Sequence, residues 1–197
     1  MTTMTGIRQR IGGAEAARAE HGEFEEPRVA RWLFGRTESA WIWLLVRLYI
    51  GWQWLAAGTE KLQNPQWANG AVLSGFIRGA LAKTTGANPD VQGWYAAFLR
   101  TAVLPHTAIW APLVAFGETI VGIALILGLF TGIAAFFGSF MNVSYLLAGT
   151  VSINPILFVP ATFLVLAWRV GGWWGLDRWI LPAIGTPWHP GRVWHRA

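Results

Sequence analysis

Four apolar stretches, Trp41–Gly58, Trp110–Leu129, Thr131–Val151 and Ile153–Val170, have the length of roughly 20 residues that a helix needs to cross a hydrocarbon layer about 30 Å thick. Each carries at most one formal charge: Arg47 in the first, Glu118 in the second and Arg169 in the fourth. The joints Leu129-Phe130-Thr131-Gly132 and Ser152-Ile153-Asn154-Pro155 hold no charge and predict tight hairpins. The connection from Thr59 to Ile109 is longer and contains two segments with apolar residues at helical spacing. One holds Leu73, Phe76, Ile77, Ala80 and Leu81; the other holds Val91, Trp94, Tyr95, Phe98, Leu99 and Ala102 and starts at Asn88-Pro89, an N-cap followed by proline. Neither is long enough to cross a bilayer, so both are expected to lie on or cap the bundle. The predicted architecture is all-α: an integral membrane four-helix bundle with two short interfacial helices in the first loop.

Composition strengthens this picture. Hydrophobic residues make up 54% and charged residues 13% of the chain, against about 25% charged in a soluble domain, which argues against a freely soluble enzyme. Fourteen Trp and eleven Phe exceed the needs of one small water-surrounded core, and Trp favours the headgroup level of a bilayer. Residues 1–40 hold six Arg and six Glu, so the net charge of +5 arises after Ala40. Such a balanced head does not resemble a polyanion-binding tail, and no nucleic-acid role is expected. It also lacks the apolar core and cleavage site of a secretory signal. Three regions are expected: a polar head over residues 1–39, the helical domain over 40–171, and a Trp-rich interfacial tail over 172–197. With four spans both termini share a side. That side holds ten Lys and Arg against four (Lys61, Arg78, Lys83, Arg100) on the other, which predicts cytoplasmic termini.

The candidate chemistry lies in the polar residues at membrane depth, where an ionisable group costs about 2.5–3.5 kcal/mol and turns inward. On a 3.6-residue period Arg47, Gly51, Trp54, Gly58 and Lys61 share one stripe of the first span. Ala111, Ala115, Glu118, Gly122 and Leu125 form a matching stripe on the second, and Ala135, Ser139, Asn142, Leu146 and Gly149 one on the third, where Asn142 and Tyr145 add hydrogen bonds. Two readings follow for Arg47 and Glu118: a buried pair that fixes helix assembly, or a ligand-binding or proton-relay site. Trp54 reads as packing, and Glu60-Lys61 as a solvated or snorkelling pair at the membrane edge. The chain has no cysteine, which removes thiol catalysis and iron–sulfur clusters. Its four histidines, His21, His106, His189 and His195, lie outside the spans, so neither a haem between helices nor a metal site is expected.

The series Arg47-x3-Gly51-x6-Gly58-x2-Lys61, Glu118-x3-Gly122, Leu127-Gly128-Leu129-Phe130-Thr131-Gly132 and Gly172-x2-Gly175-Leu176-Asp177-Arg178-Trp179 resembles the DoxX/DoxD family over roughly residues 40–185. The Trp-Gly-Leu-Asp-Arg ending and the long first loop resemble its DoxD branch. That resemblance implies a membrane subunit of a thiosulfate:quinone oxidoreductase, with recurrent polar positions at Arg47, Lys61, Glu118 and Asp177. In that reading Glu118 and Arg47 are the catalytic candidates, and Trp54, Lys61 and Asn142 line a quinone. Thiosulfate, a dianion, would be met by Lys61, Arg78, Lys83 or Arg100. A second redox subunit or another copy of the chain is the expected partner; because the chain has no thiol or haem site, either a partner subunit brings the electron carrier or thiosulfate reacts directly with the quinone. A second function class is a non-catalytic membrane scaffold that recruits a soluble redox enzyme. A third, a small transporter, gains little from four spans without repeated or broken halves.

Overall fold

The computed structural model describes residues 26–185. The chain divides into two units, Met1–Arg31 and Trp32–Ala197. Only 26–31 of the first unit are among the described residues, so the expectations for most of the 1–39 head and for the tail beyond Gly185 lie outside them. The second unit carries every candidate site residue.

Every regular element among the described residues is helical. Helix α1 (Arg28–Gly35) leads through a 3-10 turn, Thr37–Ser39, into α2 (Ala40–Gln63). The start of α2 is fixed by side chains that bond carbonyls at and just beyond the end of α1. Ser39 Oγ donates to Leu33 O at 2.9 Å and Arg36 O at 2.8 Å, and Trp43 Nε1 donates to Leu33 O at 2.7 Å. Asn64-Pro65 ends α2 and starts the short α3 (Pro65–Ala68), with Asn64 Oδ1 accepting from Gln66 N as an N-cap does. Helix α4 (Ala71–Leu81) buries Leu73, Ile77 and Ala80, the stripe its periodicity predicted.

The next segment departs from expectation. Helix α5 begins at Gly93 (Gly93–Phe98), not at Asn88-Pro89, and runs through a π turn (Leu99–Val103) and a 3-10 turn (Leu104–His106) into α6 (Thr107–Leu127). The expected second interfacial helix and second span are therefore one continuous helical stretch. The reason is local: Pro105 lacks the N–H of a regular turn, and the chain absorbs the defect by widening to π and tightening to 3-10 without breaking. Trp110 Nε1 donates to Ala102 O across this joint at 3.0 Å.

Helix α6 stops at Gly128, whose φ of 64° lies in the left-handed region, and Leu129 N donates to Ala124 O as in a Schellman ending. Helix α7 (Thr131–Leu147) follows after this tight hairpin. Gly149 (φ 70°) and Ser152 (φ 39°) turn the chain into α8 (Asn154–Leu166), continued by α9 (Trp168–Gly171) and then α10 (Asp177–Ile184). By length and composition the stretch 93–127 is apolar enough to cross a membrane, while Ala71–Leu81, Thr131–Leu147 and Asn154–Leu166 are shorter apolar helices. The third and fourth expected spans are shortened by their turns at Gly149 and Ala167. Helix α2 is long but interrupted by Arg47, Gln53, Glu60 and Lys61.

Helices α2 and α6 run antiparallel with backbones in contact. A methyl group on Gly122 would strike Leu55 N and Gly51 O, and one on Gly58 would strike Thr119 and Ala115. Glycine is required there because no side chain fits between the helices. Helices α7 and α8 complete a core of Trp43, Ile50, Trp54, Val121, Leu125, Ala135, Ala161 and Leu164. A second core joins α4 and α5 to Ala111 and Ala148, making a cap over one end. We call this end the cap face and the end holding the α6–α7 turn the hairpin face.

The burial pattern is inverted relative to a water-soluble domain. Arg47, Glu118, Asn142, Thr131 and Asp177 are buried, whereas Leu45, Trp52, Leu113, Phe116, Ile120, Phe136, Phe140, Ile156 and Val159 are each more than half exposed. An outer coat of large aliphatic and aromatic side chains over a polar interior is the distribution that hydrocarbon solvent selects.

Candidate functional site

Glu118 lies in the middle of α6, on the face turned toward α2, and is 1% exposed. Both carboxylate oxygens are engaged. Lys61 Nζ donates to Oε2 at 2.6 Å and Tyr145 Oη donates to Oε1 at 2.5 Å. Lys61 comes from the last turn of α2, because the Gly51–Gly122 and Gly58–Thr119 contacts set a register that brings its Nζ level with position 118. Its ammonium also approaches Ala57 O at 3.4 Å and sits 5.3 Å above the Trp67 ring. The Lys61 side chain is 18% exposed, so the ion pair touches solvent only through its cation. The expected solvated Glu60-Lys61 pair is absent: Glu60 is exposed, while Lys61 turns inward to Glu118.

Tyr145 is held between two rings. Trp54 stacks on it at 6.5 Å between centroids, and Phe76 meets it edge-on at 6.2 Å. Beside this triad several buried polar atoms have no partner: Trp54 Nε1, Ser139 Oγ, and Asn142 Nδ2 and Oδ1. The indole nitrogen faces α7 at Gly138, where an added methyl would come within 3.0 Å of it, and Asn142 lies one turn further along that helix. Buried donors and acceptors in an apolar setting are almost always paired, so this group is the most underused hydrogen-bonding capacity in the bundle.

Arg47 does not join Glu118, which corrects the expected buried pair. The register places Arg47 at the opposite end of α6, where Nη1 donates to Leu125 O and Ile126 O, both at 2.6 Å, and Nη2 donates to Trp174 O at 2.7 Å. A cation at the carbonyl end of a helix is favoured by the helix dipole. Asp177 performs the complementary task for α7: its Oδ1 accepts from Phe130 N at 2.6 Å and its Oδ2 from Thr131 N at 2.9 Å. Phe130, at φ 45°, is thereby held in a conformation that large residues avoid. Leu176 N and Asp177 N bond Leu127 O and Gly128 O, at 3.1 and 2.8 Å, so the Gly172–Asp177 turn is tied to the α6–α7 hairpin. Gly128 and Gly175 allow that approach, since a methyl on either would collide with the other strand of the knot.

Of the predicted site residues, Trp54, Lys61, Glu118 and Asn142 gather on the cap side and Arg47 stands apart. Tyr145 was foreseen only as a source of hydrogen bonds. Its spacing of three from Asn142 already placed both on one helix face. Of the four cations proposed for thiosulfate, Lys61 is engaged with Glu118, Lys83 donates to Gly149 O at 2.7 Å, and Arg78 and Arg100 are exposed on the cap. Clefts on the outside, among the described residues, include one of about 400 Å³ lined by Phe130, Ile133, Phe136, Trp168, Leu181 and Ile184 among others, and one of about 530 Å³ around Arg36, Trp173 and Arg178. Neither is lined by a residue of the Glu118 site. The buried chemistry, rather than the surface concavity, marks the functional candidate.

A helical bundle with a lipid-compatible exterior and a buried acid–base site defines a membrane-type protein. The DoxX family model matches residues 42–150, the segment that runs from the first turn of α2 to the end of α7 and holds every residue of the Glu118 site. The chain belongs to the DoxX family, whose members are membrane-associated. No curated protein and no solved structure shows significant similarity to the chain.

Proposed function

We propose that this protein is the quinone-reactive membrane subunit of a thiosulfate:quinone oxidoreductase-like complex, of the DoxD kind. In this reading α2, α6, α7 and α8 with α9 cross the bilayer, both termini are cytoplasmic, and a soluble redox subunit or a second copy completes the assembly. The outer coat of exposed Leu, Ile, Phe and Trp supports the membrane placement. The excess of Lys and Arg on the terminal side supports the orientation.

The observation that carries the quinone reading is the pairing of a buried carboxylate with unpartnered donors beside a flat aromatic wall. A bound quinone would supply the electron sink: two thiosulfate ions lose one electron each as a sulfur–sulfur bond forms, and two protons are taken up with the electrons. The chain's own residues fit such a group. Trp54 Nε1 and Asn142 Nδ2 are buried donors suited to a carbonyl oxygen, and the mutually stacked Trp54 and Tyr145 rings form an aromatic wall beside them. Tyr145 Oη and Glu118 hold the proton next to that position, and Lys61 balances the charge of the carboxylate. Arg47, engaged by three carbonyls, is left with a structural task.

The test is quinone content and turnover. Protein extracted in mild detergent is expected to carry menaquinone or ubiquinone, which Asn142→Leu loses while the protein stays folded. Membranes containing the chain are expected to reduce quinone with thiosulfate, and Glu118→Gln membranes are not. Equal rates in membranes with and without the chain would remove the catalytic role and leave the scaffold, a reading that the wholly structural Arg47–Asp177 knot favours for the other half of the molecule.

A further inference from the structure

We infer that the buried carboxylate of Glu118 communicates with water from the cap face only, through Lys61, and is sealed from the hairpin face. This rests on the proposed crossing of the bilayer and specifies the side on which the site exchanges protons.

The polar route from the site through Lys61 is short. Glu118 is 1% exposed, Lys61 bonded to it is 18% exposed, and Glu60, Gln63 and Gln66 around the end of α2 are exposed. Trp67 lies against the Lys61 ammonium and narrows this opening. In the other direction there is no such path. The next ionic group is Arg47, bonded to the Leu125 carbonyl seven residues along α6, about 10 Å at the helical rise. Between them Ile50, Trp54, Val121 and Leu125 pack in one apolar core, each 6% exposed or less. Where α2 and α6 face each other, the Gly51–Gly122 contact brings backbone against backbone and leaves no room for a side chain, still less for water. A water file needs successive polar partners, and among these four residues Trp54 Nε1 is the single polar side-chain atom. Lys61 is thus a positioning residue that both fixes the carboxylate and forms its link to the aqueous phase.

The absence of cysteine makes the prediction directly measurable. Single cysteines are placed at Glu118→Cys, with Asp90→Cys on the cap and Arg178→Cys on α10 as markers of the two faces. Sealed vesicles are treated on one side or the other with a membrane-impermeant cationic methanethiosulfonate. Modification at position 118 is expected only from the side that labels Asp90→Cys. Labelling from the Arg178→Cys side, or from neither side, overturns the inference. If Glu118→Cys does not fold, the near-isosteric Ser139→Cys decides: protection from the Arg178→Cys side supports the seal, and modification from that side overturns it. Should both markers react from the same side, the bilayer-crossing reading falls and this inference with it; opposite-sided markers with a wrongly sided Glu118→Cys sink the inference alone.

Discussion

The two ends of the α2–α6 pair handle buried charge in opposite ways. At the hairpin face, Arg47 donates to the backbone carbonyls of Leu125, Ile126 and Trp174, and Asp177 accepts from the backbone amides of Phe130 and Thr131 at the start of α7. At the cap face, Glu118 binds only side chains, Lys61 and Tyr145, and Trp54 and Asn142 beside it keep unused donors. A charge spent on backbone cannot change partners without unfolding a turn. A charge held by side chains, next to idle donors, can rearrange around a ligand. Burial of a charge alone therefore does not single out a candidate functional residue; the nature of its partners does.

This contrast can be broken by substitution, and the largest effect is expected at the knot. Arg47→Met removes three charged hydrogen bonds, leaves the Ile126 and Trp174 carbonyls without that partner and loosens the 172–177 turn, a loss of about 4 kcal/mol; unfolding in detergent micelles should report it, with quinone content per folded molecule unchanged. A loss of quinone without loss of stability would erase the distinction between the two ends. Next comes Lys61→Met, which leaves Glu118 unpaired and costs about 3 kcal/mol. The double variant with Glu118→Gln should recover most of that, and a double-mutant cycle showing additive effects would deny the pair its energetic coupling. Tyr145→Phe removes one hydrogen bond to a charged group, about 2 kcal/mol, and is expected to slow thiosulfate-dependent quinone reduction more than it lowers the unfolding temperature. Smallest in stability is Asn142→Leu, within about 1 kcal/mol because neither amide atom has a partner to lose; a large destabilisation would mean that those atoms are satisfied after all.

The helical periods in the sequence located the buried faces well. Arg47, Gly51, Trp54 and Gly58 on α2 and all five stripe residues on α6 face the interior. On α7 the buried face is rotated toward Thr131, Ala134 and Gly138, so Ser139 and Leu146 are only partly buried. Pairing between helices was not legible, because a stripe fixes a face but not the offset of one helix along another. That offset is set by glycine contacts, and it sends Glu118 to Lys61 rather than to Arg47. The fused α5–α6 stretch was hidden for a different reason: proline usually ends a helix, and only the wide turn at Leu99–Val103 lets this one continue. The Asp177 role escaped because its ligands are backbone amides 46 and 47 residues away.

The order of synthesis gives the paired charges a history. Lys61 leaves the ribosome 57 residues before the glutamate it will hold, and Arg47 precedes its carbonyl partners by 78, 79 and 127 residues. In the proposed bilayer-crossing arrangement, the first rod therefore meets the insertion machinery before the final partners of both cations exist. It would linger at the edge of the lipid, or in a protected chamber, until translation delivers them.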